Sequence, residues 1–559
     1  LQRPKEVSGV WPRAFALRPW LALLLLALAV RLLPALDRYV IGTDEAAYLT
    51  LGQQLAAGRG FTLDGLTPHT EFDPGYPLAA AAVYALLGPY GQTPGGLDLP
   101  ARLNMVLAGA LLVLPVYALA AELFGRSVAW RAGLLVALLP ALALGAVNFG
   151  AAAEQLYSLW VWLGLLALWR ALAPWRAGGA PLRPALFALA GLCFGLAHLT
   201  RWEGVFFLAS GAAGIALLAL LRRGRAPGYR AALAGLAAFA AAGALAVLAY
   251  GSYLYTAQGT WFPNKGLGQQ LQGEAVDSGD PLAWERLYAV YETRLHNQGV
   301  PPEQFLNYLW ERRAETAGLY LRNLVRQAAY AFSTLSFVTP LWLPFALAGA
   351  LAAWRRGRAG EIALLLLLAW PTALVYPLAF VDPRYLLALA PAALILAGAG
   401  LVALEGALQD RAGRLRPLGR RAMLTAGLGA ALLIATVAGT IWMPRPFEYK
   451  TLGLAMRARG IAAGEAVLAR KRQVPFYAGA RWEWLPLADL AGVRAYARER
   501  RAHYFVVDER TAPLRPALQD LLDPQAAPAG VRAVLVETVP PRIVLYAFEE
   551  PAGSDGDQH

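Results

Sequence analysis

A polytopic α-helical membrane protein, about eleven transmembrane helices with interfacial helices in its extracytoplasmic loops and a small C-terminal α/β domain, is the fold class this sequence predicts. Three observations carry the prediction. Of 559 residues, 58% are hydrophobic and 16% charged, too apolar for an ordinary soluble enzyme. The apolar residues gather in runs that suit a bilayer, which takes about 20 residues to cross. Arginines recur at alternate gaps between those runs, which gives the bundle a direction.

The eleven runs centre near residues 20–36, 102–122, 128–147, 153–171, 184–199, 204–221, 231–250, 328–352, 361–380, 385–404 and 422–442. Arg3, Lys5, Arg13 and Arg18 precede the first run. Arg126 and Arg131 follow the second, and Arg170, Arg176 and Arg183 follow the fourth. Arg222, Arg223, Arg225 and Arg230 come next, then Arg355, Arg356 and Arg358, and finally Arg411, Arg414, Arg416, Arg420 and Arg421. Every cluster falls on one side, which the positive-inside rule makes cytoplasmic. The expected location is therefore the inner or plasma membrane, with the N-terminus cytoplasmic and the C-terminus extracytoplasmic. The first run lacks a small-residue cleavage site and is expected to be a span rather than a signal peptide.

Topology also accounts for the net charge of +13, because the basic residues sit in short loops against anionic headgroups. No aromatic-basic platform accompanies them, so no nucleic-acid partner is expected. The one cysteine, Cys193, excludes an intramolecular disulfide and a cysteine-clustered metal site.

Unusual polar residues collect on the expected outer face. After the first run, Thr43 is a plausible N-cap, with Asp44 and Glu45 in the favourable first turn of a helix expected to lie at the interface. Those acids either cap the helix or do chemistry, and the segment alone leaves both readings open. His69 and the rigid turn Asp73-Pro74-Gly75-Tyr76-Pro77 lead into a second short helix near 79–87. Glu154 opens the fourth run, where a carboxylate is costly unless hydrated, paired or protonated. In the turn His198–Gly204, Arg201 and Glu203 either pair with each other or meet a ligand.

Lys265 is one of only four lysines and follows a rigid Pro-Asn turn, which suits contact with an anion or hydroxyl. Arg384, in Asp382-Pro383-Arg384-Tyr385, sits against the positive-inside trend, and its guanidinium fork matches phosphate oxygens. Helical spacing over Leu282–Leu295 and Pro302–Leu324 predicts headgroup-facing helices.

Pro444-Arg445-Pro446 marks the expected boundary between a membrane domain over 1–443 and an extracytoplasmic domain over 444–559. Strands are expected at Ala466–Ala469, Tyr504–Asp508, Ala533–Thr538 and Ile543–Phe548, with helices over Leu487–Arg501 and Pro513–Leu522. Arg470-Lys471-Arg472 and Tyr477–Trp484 are expected to stabilise this domain or its contact with the membrane part. Bordering an acceptor site is the alternative.

The acidic pair after the first run, the Pro-Gly-Tyr-Pro turn, Glu154 and Arg384-Tyr385 together resemble the membrane-embedded GT-C glycosyltransferases. The likeness is to the branch of protein O-mannosyltransferases and lipid A aminoarabinose transferases. It implies transfer of a sugar from a polyprenyl-phosphate donor to a protein, glycolipid or polysaccharide hydroxyl outside the cytoplasm. It also implies Asp44 as the base, with Glu154 at the family's second acidic position. The aminoarabinose branch carries a lysine before its Pro-Pro turn that this sequence lacks at Phe72-Asp73-Pro74.

The expected site is therefore Asp44, Glu45 and Glu154 for catalysis, and Arg201, Lys265 and Arg384 for the donor phosphate. Tyr76, His69, Glu203 and Tyr385 are expected to contact substrate. Displacement at the anomeric carbon builds charge on the leaving phosphate, which aimed cations stabilise most in the transition state. One displacement implies inversion. A divalent metal is left unassigned, because Asp44, Glu45, Glu154, His69 and His198 show no ligand spacing. Two other classes stay open: a lipid-linked sugar flippase or transporter, against which the polar residues sit at span ends rather than mid-span, and a non-catalytic glycan- or lipid-binding subunit.

Overall fold

The computed structural model describes residues 18–37, 39–149, 152–176, 183–221, 228–263, 266–290, 302–332, 340–367, 370, 374–378, 380–411, 422–442 and 444–549. Its helices begin with α1 (Pro19–Asp37), α2 (Thr43–Ala56), α3 (Gly75–Leu87), α4 (Leu99–Leu111), α5 (Val113–Phe124), α6 (Arg126–Leu138) and α7 (Pro140–Phe149). They continue with α8 (Ala152–Arg176), α9 (Pro184–Thr200), α10 (Gly204–Leu221), α11 (Gly228–Gln258), α12 (Gly266–Asp277) and α13 (Ala283–Val290). Then come α14 (Pro302–Glu311), α15 (Arg313–Phe332), α16 (Leu343–Arg355), α17 (Ala359–Leu367), α18 (Ala390–Arg411) and α19 (Met423–Trp442).

Among the described residues, 7 helical segments are long and apolar enough to cross a membrane, from Pro19–Leu36 to Met423–Trp442. Shorter apolar helices at Pro184–Thr200, Gly204–Leu220 and Leu343–Arg355 fall on three further expected runs. The run expected at 361–380 contains α17, a helix of 9 residues. The run expected at 328–352 is not one helix: α15 ends at Phe332 and α16 starts at Leu343. Proline lacks an N–H and is tolerated only in a first turn, so Pro340 and Pro344 oblige the chain to start a new helix there.

A buried arginine shows how the bundle handles a second such break. Pro140 cannot donate to the Val136 carbonyl four residues back, and α6 stops at Leu138. Arg31 of α1 is fully buried and supplies the missing donors. Its guanidinium donates to the carbonyls of Val136 (3.3 Å), Ala137 (3.1 Å) and Leu142 (3.2 Å). Gln155 of α8 also donates to the Leu142 carbonyl (3.2 Å), so α1, α6, α7 and α8 meet at this break.

Residues 444–549 form a second layer. After α20 (Phe447–Ala458) come β1 (Ala466–Ala469), α21 (Gln473–Ala478), β2 (Arg481–Trp484), α22 (Leu490–Arg500), β3 (Ala502–Asp508), β4 (Val531–Glu537) and β5 (Ile543–Phe548). The strand order is β2-β1-β3-β5-β4; β2, β1 and β3 run parallel, and β5 is antiparallel to both β3 and β4. The four expected strands are present, and β2 is an addition. The helix expected over Pro513–Leu522 is instead two 3-10 turns, Ala512–Leu514 and Pro516–Leu522, each opened by a proline in its first two positions.

Two buried carboxylates dock this layer on the bundle. Asp98, just before α4, receives Lys450 of α20 (2.6 Å), Arg102 (2.8 Å) and the Tyr477 hydroxyl of α21 (3.1 Å). Tyr477 in turn accepts the Ile41 N–H (3.3 Å), which fixes the approach to α2. Glu285 of α13 pairs with Arg470 (2.5 Å) and Arg515 (2.9 Å) and is 1% exposed. The sheet layer is thus pinned beside the acidic first loop.

Candidate active site

Gly42, not Thr43, is the N-cap of α2: its backbone is extended, and Thr43 is already helical. The Glu45 carboxylate reaches back to the Gly42 N–H (3.2 Å), one half of a capping box. Glu45 also accepts the hydroxyls of Tyr39 (2.6 Å) and Tyr76 (3.0 Å) and is fully buried. Burial pushes its pKa up to about 7, against the lowering effect of Tyr39, Tyr76 and the Gly42 N–H. Successive helical residues point about 100° apart, so the acidic pair divides. Glu45 locks the loop, and Asp44 faces elsewhere.

Asp44 opens an alternating chain of charges. Its Oδ2 lies 3.0 Å from Arg384 Nη1, and Arg384 Nε lies 3.7 Å from Glu154 Oε1. The same Glu154 oxygen binds Arg201 Nη1 (2.5 Å), whose Nη2 binds Glu203 Oε1 (3.1 Å). Exposure drops inward from the Asp44 end: the Asp44 side chain is 38% exposed and Arg384 21%, against 3% for Glu154, 13% for Arg201 and 3% for Glu203. Burial alone would lower the pKa of Arg201, but Glu203, Tyr376 and Glu154 more than offset it. Arg384 follows the same logic through Asp44 and Glu154. Both guanidiniums are held charged in a poorly hydrated place.

The chain positions these groups by local means. Asp382 accepts the Arg384 N–H (3.0 Å) and caps the short turn Pro383–Leu386. Trp162 of α8 donates to the Ala388 carbonyl (3.0 Å), which draws that turn towards the end of α8 carrying Glu154. Tyr385 stacks on Tyr376 (4.4 Å) and lies under the Arg201 guanidinium (4.9 Å).

The first loop is clamped to the Arg201 turn. Asp73 accepts the Trp202 N–H (3.0 Å) and the Tyr250 hydroxyl (3.2 Å). Gly75 lies so close to the end of α9 that a Cβ would sit 2.7 Å from the Thr200 nitrogen. The turn itself closes because a Cβ on Gly204 would lie 2.2 Å from the His198 nitrogen. His198 Nδ1 is 3.0 Å from the Trp202 carbonyl, which can only accept.

Of the expected site residues, the structure brings together Asp44, Glu154, Arg201, Glu203, Arg384 and Tyr385. Tyr76 is 1% exposed and bonded to Glu45, so it meets no substrate from this position. Glu45 is likewise buried, with its carboxylate taken up by Tyr39, Tyr76 and the Gly42 N–H. His69 stacks on Phe72 and lies away from the charge chain, in the wall of a separate cleft. Lys265 lies outside the described residues. No group of three or more His, Cys, Asp or Glu placed to hold a metal occurs among the described residues. Lys471 was expected to stabilise the C-terminal domain or its membrane contact, with the border of an acceptor site as the alternative. It lies within electrostatic reach of Asp44, and burial followed by Arg470 lowers its pKa.

This architecture is a fold shared with solved structures of an archaeal oligosaccharyltransferase and of ArnT. The chain is similar over its length to ArnT from Cupriavidus metallidurans bound to undecaprenyl phosphate: 14% identity, TM-score 0.53, covering 95% of this chain and 98% of that one. It is also similar to the Archaeoglobus fulgidus oligosaccharyltransferase in complex with Zn and sulfate, at 17% identity and TM-score 0.57, covering 88% of this chain and 68% of that one. The archaeal enzyme AglB in complex with an inhibitory peptide and a dolichol-phosphate matches at 15% identity and TM-score 0.52, covering 88% of this chain and 69% of that one. No protein-family model matches the chain, and no curated protein sequence matches it either.

Proposed function

We propose that this protein is an integral membrane glycosyltransferase that moves a sugar from a polyprenyl-phosphate donor to an acceptor hydroxyl at the extracytoplasmic face, with inversion. The carrying observation is the charge chain, open at Asp44 and increasingly buried towards Glu154. Two of the fold neighbours hold polyprenyl phosphates, undecaprenyl phosphate and dolichol-phosphate, which supports the donor class.

A lipid donor keeps its tail in the bilayer and presents its anomeric carbon at headgroup level. Its phosphate takes the guanidinium of Arg384, with Arg201 behind it and Lys471 approaching from the sheet layer. Arg384 then lets go of Asp44. The freed carboxylate takes the proton of the acceptor hydroxyl as that oxygen bonds to the anomeric carbon from the face opposite the phosphate. The carbon–oxygen bond to phosphate breaks, and its electron pair leaves with the lipid phosphate. Charge grows there during the step, so the fixed cations favour the transition state. Glu154, at 3% exposure, acts through the two arginines as a positioning residue. Glu203 and Tyr385 fix Arg201 from its other sides.

Membranes carrying the protein, given radiolabelled polyprenyl-phosphate sugars and endogenous acceptors, test the reading. Label should reach an acceptor with the wild type and not with Asp44→Asn. Lipid-linked sugar crossing the bilayer with no transfer would replace the transferase by a flippase.

A further inference from the structure

Beside the charge chain lies a separate cleft of about 230 Å³, between α2, the loop 63–71 and the edge of the sheet. Ala46, Ala47 and Thr50 form its floor, on the same helix as Asp44. Strand β2 is one of the sheet's two edge strands, and all four of its residues line the opposite wall.

The wall combines the partly exposed Trp482 ring with paired charges. Arg472 stacks over Trp482 (4.2 Å) and reaches Phe72 on its other side (5.7 Å). Trp482 is fixed by its indole N–H to the Ala469 carbonyl (2.9 Å) and stands edge-to-face with Trp484 (6.2 Å). At the rim, Glu483 lies between Arg481 (3.4 Å) and Arg500 (3.9 Å). Asp64, on the facing loop, is held by the Leu66 and Thr67 N–H groups, and its pKa is lowered. Burial acts against that shift, and the hydrogen bonds from Thr67 and Leu66 outweigh it.

We infer that this cleft binds a neutral oligosaccharide portion of the acceptor, so that the acceptor of the proposed transferase is a glycan. The three arginines Arg472, Arg481 and Arg500 face the three carboxylates Asp64, Glu71 and Glu483, which leaves no net cationic field for a phosphate or a uronate. Hydroxyls donate and accept at once, so a polyol can bridge guanidinium and carboxylate at separations such as those beside Glu483. The Trp482 ring, partly exposed in this wall, offers a face to the C–H face of a pyranose, and a rigid ring pays little entropy to stack. The shared helix α2 sets the distance between this cleft and the reacting hydroxyl. The inference rests on the transferase reading and can fail separately from it.

The test uses the full chain in lipid nanodiscs, titrated calorimetrically with mannohexaose, maltohexaose and chitohexaose, and with a pool of serine- and threonine-containing decapeptides. At least one hexasaccharide should bind. Trp482→Leu and the rim variant Arg500→Ala should each weaken it tenfold or more. Size-exclusion profiles confirm that each variant is folded. Binding by peptides alone, no saccharide binding by folded wild type, or binding that survives both cleft variants would overturn the inference. Sugar transfer to a peptide without saccharide binding would sink the glycan cleft and spare the transferase. Saccharide binding lost with Trp482, in a protein that transfers no sugar, would do the reverse.

Discussion

Arg384 grips Asp44 at 3.0 Å while its Nε faces Glu154 at 3.7 Å, so the proposed base and the proposed phosphate ligand hold each other when no donor is bound. A phosphate arriving at Arg384 competes directly with Asp44 for the same guanidinium. Donor binding and release of the base become one event, which guards against deprotonating an acceptor before a donor is present. Asp44→Asn should therefore lower transfer by about 10²–10⁴-fold, the range for a lost general base. Arg384→Lys should keep charge but lose the fork, raising the donor KM more than it lowers kcat. Initial rates against donor concentration read both, and equal KM values in wild type and Arg384→Lys would remove Arg384 from the phosphate site.

Glu154 sits where two guanidiniums converge, 2.5 Å from Arg201 and 3.7 Å from Arg384. Glu154→Gln keeps the shape and removes the charge that lets both arginines crowd together. The expected result is a donor KM raised about tenfold, with acceptor KM unchanged, because one charge-assisted contact on each arginine is misaimed. Lys471→Met should also raise donor KM, since it removes a half-buried ammonium beside Asp44. A change in acceptor KM alone, in either variant, would move that residue to the other substrate.

The membrane fold was legible because the signal is long: apolar runs and alternating arginine clusters repeat over hundreds of residues, and one misplaced boundary hardly alters them. The breaks at Pro340 and Pro140 were harder to see, since the run of apolar residues continues through each. In the site, Asp44, Glu154, Arg201 and Arg384 stood out because a charge at a span's end needs a partner. Pairing across 340 residues, as between Asp44 and Arg384, leaves no trace in spacing. Glu45 and Tyr76 lie off that chain of charges for a related reason. Adjacent positions on α2 look like one acidic pair in the sequence, and helical rotation sends one inward. Strand β2 was missed because four residues reading Arg-Trp-Glu-Trp are too few to display a period.

Asp98 is where the sheet layer is fastened to the bundle, through Lys450 (2.6 Å) and Tyr477 (3.1 Å), while Arg102 of α4 pairs with it from its own side (2.8 Å). Its side chain is fully buried, so removing it strands Lys450 without a counter-charge. Asp98→Ala should cost about 3–5 kcal/mol, the range for breaking a buried pair from one side. Lys450→Met together with Asp98→Asn should cost less than the two single changes added, because the pair leaves together. Thermal unfolding in nanodiscs measures each, and strict additivity would deny the coupling. Since Tyr477 also holds the Ile41 N–H before α2, Asp98→Ala should lower transfer in membranes that still contain folded protein.

Glu45 makes stability depend on pH in a stated direction. Its pKa is raised from 4.5 to about 7 by burial, against the pull of the Tyr39, Tyr76 and Gly42 hydrogen bonds. The folded protein therefore holds a proton that the unfolded chain has already lost between those two values. That contribution is fully present below pH 4.5 and is lost as pH rises through 7, and the midpoint of unfolding should fall across the same window. Integrated over that window the effect is roughly 3 kcal/mol. Glu45→Gln keeps an acceptor for Tyr39 and Tyr76 and carries no charge to desolvate. It should flatten the slope between pH 4.5 and 7 and unfold at a higher temperature than wild type at pH 8. A slope identical in both proteins would assign the pH dependence to another group and leave Glu45 ionised in the fold.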